Sequence, residues 1–149
     1  ATPGYNIRPL EMSGAIGSVQ LTKWNKIMEV RNDNKRHFLS LFANKSWCRI
    51  QKEVGTSSWF TFGMVLDGEL KGRRAEVINA LSKAEIQNRP LASRNFLKQP
   101  VMRDLNYITN GNYEAADDIH DNGFFVGNGS QDITEGINKL YEVISSFVK

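Results

Sequence analysis

A single cysteine, Cys48, and only two histidines, His37 and His120, occur in the 149 residues. One thiol cannot close an internal disulfide, so a disulfide-stapled fold is excluded and a reducing compartment is expected. With no second cysteine at C-x-x-C spacing and no clustered histidine, the pattern of a structural zinc site is missing and no metal is expected. No apolar run approaches the roughly 18 residues that a membrane-spanning helix needs. No stretch reads as a secretory signal. A strong excess of one charge is missing too: 19 Lys and Arg stand against 16 Asp and Glu, a net charge of +3. The basic residues are scattered among acids and amides, as on a solvated helix face, so neither nucleic acid nor a membrane surface is an expected partner. The phosphate-cradling glycine motifs and the G-x-S-x-G nucleophile elbow do not occur. With 40% apolar and 23% charged residues, the chain has the make-up of a cytoplasmic globular domain.

What is present begins with helical periodicity. Pro9 suits a first helical turn, and apolar residues from Leu10 to Leu21 follow a roughly helical spacing among Ser13, Gly14 and Gly17. A second stripe, Trp24, Ile27, Met28, Arg31, Phe38, Leu39 and Phe42, continues to about Ala43, which predicts a long two-segment helix. After Asn44 the period changes. "SWCRIQ" and "SSWFTFGMVLDG" read as strands, the second closed by Asp67-Gly68. "GRRAEVINALSKAEI" is an amphipathic helix. "IQNRPLAS" is a short strand that Pro90 confines to an edge or strand end, followed by a polar loop. "YEAADDIHDNG" is a helix stopped by Asn122-Gly123, and "FFVGN" is a buried strand. "DITEGINKLYEVISSFVK" is a final helix capped by Asp132. The expected fold is α+β: long N-terminal helices, residues 1–43, then a small mainly antiparallel sheet with helices packed on it, residues 44–149.

Three polar turns stand out as candidate ligand contacts: Tyr5, Asn6 and Arg8; Arg89, Arg94 and Asn95; and His120 to Asn128. Guanidinium groups suit bidentate contact with phosphate or carboxylate, and amides can donate to the remaining oxygens. Together they point to a polar anionic ligand. On residue types alone each turn reads equally as a surface salt bridge or a structural loop, and no activity follows.

"GYNIRPLEMSGAIGSVQLTKWNKIMEVR" resembles the segment that follows the cofactor-lysine region in pyridoxal-phosphate sugar aminotransferases and dehydrases of the DegT family. Gly4, Tyr5, Asn6, Arg8, Glu11, Ala15, Ile16, Gly17, Gln20 and Leu21 match its Gly-aromatic-Asn-x-Arg turn, acidic residue, small-residue helix and Gln-Leu pair. "NRPLASRNFLKQPVM" and "IHDNGFFVGNGSQDITEGINKL" are similar to the sugar 3-dehydrase branch, in which a Gly-Phe-Phe/Trp-x-Gly strand replaces the Leu-Pro type of the aminotransferases.

The resemblance implies a C-terminal part of a pyridoxamine or pyridoxal 5'-phosphate enzyme that removes the C3 oxygen of a nucleotide-linked 4-keto-6-deoxyhexose. An aminotransferase of the same family and a non-catalytic binding domain are the alternatives. It further implies a homodimer, a nucleotide-sugar substrate, and an amino donor such as glutamate. Asn6 and Arg8 would reach cofactor phosphate or nucleotide, and Arg89, Arg94, Asn95 and Phe125 would border the substrate. The residue on the cofactor face, Lys or His, would lie upstream of Ala1. This stretch by itself is therefore expected to hold no catalytic residue, to be inactive, and to expose apolar surface around its first helix.

Overall fold

The computed structural model describes residues 10–149. It opens with α1 (Glu11–Leu21) and α2 (Trp24–Phe42), separated only by Thr22 and Lys23. The two helices differ in kind. α1 carries Gly14 and Gly17, and none of its residues is buried. α2 places Phe38 and Phe42 one turn apart on one face, and both are fully buried.

Four strands form one antiparallel sheet in the spatial order β1-β2-β4-β3, with β1 at Cys48–Ile50, β2 at Thr61–Leu66, β3 at Asn88–Arg89 and β4 at Gly123–Gly127. Strand alternation divides its side chains between two faces. Cys48, Phe62, Met64, Leu66, Phe124 and Val126 point inward. Against them pack α2, α3 (Arg74–Lys83) through Val77 and Leu81, and α5 (Thr134–Ser145) through Ile137, Leu140 and Ile144. Phe62 stacks on Phe38 at 4.3 Å, and Phe38 on Phe42 at 4.5 Å, so helix and sheet share one aromatic column. Each such side chain contributes roughly 1.5–3 kcal/mol by leaving water. The architecture is the expected α+β. Packing, however, joins the second half of α2 to the sheet, so the sequence division at 43/44 does not coincide with an edge of the core.

The outer face carries Gly63, Val65 and Phe125, and α4 (Glu114–Asn122) covers part of it together with the loop after β3. Gly123 makes that approach possible. A Cβ there would strike the Ile119 carbonyl and stand 2.8 Å from a Leu91 methyl. Gly123 has φ −89°, so it ends α4 by passing straight into β4 and does not form the left-handed cap that Asn-Gly suggests. The N-cap position of the last helix falls on Ile133, one residue later than expected, and Asp132 Oδ1 accepts the Thr134 N–H at 2.9 Å from just ahead of it.

Strands are shorter than the sequence pattern predicts. β2 starts only at Thr61 because Trp59 adopts φ +48°, which breaks the alternation and buries Trp59 while turning Phe60 outward. β3 stops at Arg89 because Pro90 has no N–H to give the ladder. The polar loop that follows contains two 3-10 turns, Phe96–Lys98 and Pro100–Asp104.

Candidate functional site

The part of the outer face that α4 leaves open forms a cleft of about 420 Å³ between α2 and the β3–β4 edge. Arg89 and Phe125 are register partners, so their side chains stand side by side on this face. Phe124, the neighbour of Phe125, points into the core and is fully buried. The same cleft is lined by Phe60, which is 73% exposed, and Arg31, whose guanidinium carbon sits 5.7 Å from the Phe60 ring centroid. Arg31 Nε is buried and has no hydrogen-bond partner among the described residues. Neither Arg31 nor Arg89 forms an ion pair within the described residues. The lining includes no carboxylate. The cleft is therefore electropositive, with two aromatic surfaces.

A buried amide pair holds its rim. Asn128 Nδ2 donates to the carbonyls of Arg31 (3.1 Å), Ser58 (3.2 Å) and Trp59 (2.8 Å). The Asn128 N–H bonds the Phe60 carbonyl at 3.0 Å. Its Oδ1 accepts from Asn34 Nδ2, which also donates to Gln131 O, while Asn34 Oδ1 accepts from Ile133 N–H. Two amides thus tie α2, the approach to β2 and the entry to α5 to one point.

On the other side of Arg89-Pro90 lies an open groove of about 470 Å³ that includes Arg94, Phe96 and Gln99. Ala92 (φ +44°) and Arg94 (φ +58°) hold left-handed backbone conformations, which are costly away from glycine and persist only when neighbours enforce them. Gln99 Nε2 donates to Ser93 O at 2.7 Å and Arg94 N–H to Leu91 O at 2.9 Å. Asn95 is 5% exposed; its amide donates to Asp117 Oδ1 at 2.9 Å and its Oδ1 accepts Leu97 N–H at 3.0 Å. Asn95 is thus engaged in pinning the loop to α4. Lys98, through its bond to Asp117, and then Asn95 hold the Asp117 carboxyl below the usual carboxylate range. Arg74 Nε donates to Gly123 O at 2.7 Å; burial, and then the like charge of Arg94, lower its pKa.

Of the sequence candidates, Arg89 and Phe125 share the first cleft, Arg94 lines the second groove, and Asn95 lies behind it. Asn6 and Arg8 lie outside the described residues. Arg31 and Phe60 belong to the site and were not foreseen in it. The signal for Arg31 was a cation at an apolar-stripe position; Phe60 had none, because its exposure depends on the backbone turn at Trp59. Burial pushes the Cys48 thiol up to about 12, so it is not a ready nucleophile. His37 Nε2 is engaged with Asn138 Oδ1 at 2.7 Å. His120 Nδ1 is buried without a hydrogen-bond partner among the described residues. No helix among them is long and apolar enough to cross a membrane.

The fold, an antiparallel sheet backed by three helices, matches solved structures of a dehydratase and an aminotransferase. This chain belongs to the DegT/DnrJ/EryC1/StrS aminotransferase family, whose pattern matches residues 1–144. It is 41% identical over 143 residues to GDP-4-keto-6-deoxy-D-mannose 3-dehydratase of Yersinia pseudotuberculosis, covering 95% of this chain and 36% of that protein. It is similar to the structure of the E. coli GDP-4-keto-6-deoxy-D-mannose-3-dehydratase with bound hydrated PLP (38% identity, TM-score 0.84, 95% of this chain and 37% of that one). Helicobacter pylori PseC, an aminotransferase, shares the fold at 14% identity and TM-score 0.76, over 99% of this chain and 39% of that one. The chain spans 36–37% of the length of the curated dehydratases it matches.

Proposed function

We propose that this chain is the small-domain portion, residues 44–149 with the preceding helices 1–43, of a nucleotide-sugar 3-dehydrase that acts on a GDP-linked 4-keto-6-deoxyhexose. The observation that carries the reading is the contrast in identity: 41% and 38% to two 3-dehydratases, against 14% to an aminotransferase of the same fold. In this reading a cytoplasmic homodimer uses pyridoxamine or pyridoxal 5'-phosphate with glutamate as amino donor. The exposed apolar side chains of α1, Met12, Ile16, Val19 and Leu21, support a further covering surface.

The described residues do not themselves fit the cofactor. Lys35 and Lys45 are the only half-buried lysines among them. Lys35 is bound to Glu53 and the Ser57 carbonyl, and Lys45 lies over the Tyr141 ring. In the dehydrase reading the bound cofactor would supply an electron sink for loss of the C3 hydroxyl. The work assigned to this chain is on the substrate side. Arg89 and Arg94 supply positive charge, Phe125 supplies a flat apolar wall, and Asn95 positions Arg94 through the bond to Asp117. Asn6 and Arg8 are assigned to the cofactor phosphate and the nucleotide.

The intact protein carrying this chain, incubated with cofactor, glutamate and GDP-4-keto-6-deoxymannose, should yield a nucleotide-sugar lacking the C3 oxygen by mass spectrometry. An amino sugar as the product would overturn the dehydrase reading in favour of transamination.

A further inference from the structure

The cleft between α2 and the β3–β4 edge contains a cation that the substrate reading does not use. Arg31 leaves a buried Nε–H unpaired, and such a donor costs stability unless a partner reaches it. Its guanidinium is held over the exposed Phe60 ring, and its backbone carbonyl is fixed by Asn128. Arg89 lines the same cleft and has no carboxylate partner among the described residues. Two guanidiniums around one space, with no acid in the lining, repel each other until an anion lies between them.

In a nucleotide-linked keto sugar the only charged part is the diphosphate. We infer that Arg31 and Arg89 together bind the diphosphate of the nucleotide-sugar, with Phe60 orienting the Arg31 fork and packing against the ligand. This rests on the nucleotide-sugar reading above and adds to it a residue from α2. It also explains why Asn34 and Asn128 are buried where they are: they fix the carbonyl of Arg31 and the backbone on both sides of Phe60.

The test uses the intact protein carrying this chain, titrated calorimetrically with GDP, inorganic pyrophosphate and glutamate. Arg31→Gln should weaken GDP and pyrophosphate binding about 10-fold or more and reduce the salt dependence, as expected for loss of a charge-assisted contact. Glutamate binding and the cofactor absorbance should be unchanged. Arg31→Lys should recover part of the loss, because charge returns without the planar fork. Phe60→Ala, a surface change that leaves the core intact, should weaken GDP about 3-fold. GDP affinity within 2-fold of wild type in both Arg31→Gln and Phe60→Ala, or a loss confined to glutamate, would overturn the inference and leave the dehydrase reading standing. Arg31-dependent pyrophosphate binding in a protein that does not turn over the GDP-keto sugar would support the cleft and remove the proposed substrate.

Discussion

The two faces of the four-stranded sheet are built from the same strands and alternate residue by residue, yet they hold different chemistry. The inner face is aromatic and aliphatic and closed by three helices; Phe38, Phe42, Phe62 and Phe124 are all fully buried. The outer face is half covered. Where α4 and the Leu91 side chain reach it, Gly123 lets the Ile119 carbonyl come close and Gly63 leaves room for the Gln51 and Leu91 side chains. Where they do not, Arg89 and the half-buried Phe125 line a cleft together with Arg31 and Phe60. Adjacent Phe124 and Phe125 thus serve opposite ends. The difference teaches that the strand period sorts stability to one side and leaves the other free for ligand contact, so the two should separate under mutation.

The largest expected effect tests the inner face. Phe62→Ala should destabilise by about 3–5 kcal/mol in chemical denaturation, because it opens a cavity in the Phe38 stack. Phe125→Ser, at a half-buried position, should cost clearly less stability than Phe62→Ala while weakening substrate binding. Comparable stability losses in the two would break the distinction between the faces.

Asn128→Ala falls between them. It strands the carbonyls of Arg31, Ser58 and Trp59 and leaves Asn34 without one acceptor, a cost of about 1–3 kcal/mol. It should also lower GDP affinity, although the side chain is buried. Stability lost with unchanged affinity would show that the amide pair supports only the fold.

A smaller effect concerns acid. Burial acts to raise the Asp118 pKa, but hydrogen bonds from Arg49, Asn122 and Lys71 together outweigh it and lower the value. A carboxylate lowered in the folded state contributes stability that is present above its unfolded pKa, near 3.9, and lost as pH falls through the folded value. Thermal unfolding followed below about pH 4 should therefore show a decline that Asp118→Asn makes shallower; equal slopes would remove this ion network as a contributor. The smallest change is Glu85→Gly after α3. Glu85 sits at φ +60°, and Ile86 N–H returns to Leu81 O at 2.9 Å, the bond of a Schellman-type helix end. Glycine there should raise stability by about 0.5–1 kcal/mol in a thermal melt.

Much of this was legible beforehand. Helical stripes in α2, α3 and α5 and the apolar runs of β2 and β4 are local patterns, and local hydrogen bonding turns them directly into elements. Strand alternation puts adjacent Phe124 and Phe125 on opposite faces, and packing shows that Phe124 is the one in the core. The family resemblance came from unbroken motifs over the first twenty residues and around "GFFVGN". Asn95 was less transparent: its type and neighbours suggest a ligand contact, whereas a partner 22 residues away, Asp117, sets its contacts.

Composition and period therefore decided the α+β class and the positions of the helices and strands, because each depends on residues a few positions apart. The cleft was decided only in three dimensions. Arg31 lies over Phe60 and shares a cleft with Arg89 because Asn128, nearly a hundred residues further on, closes α2 against the sheet. Long-range hydrogen bonds and a single left-handed turn at Trp59 leave no periodic trace in the chain, and those are the interactions that assemble the site.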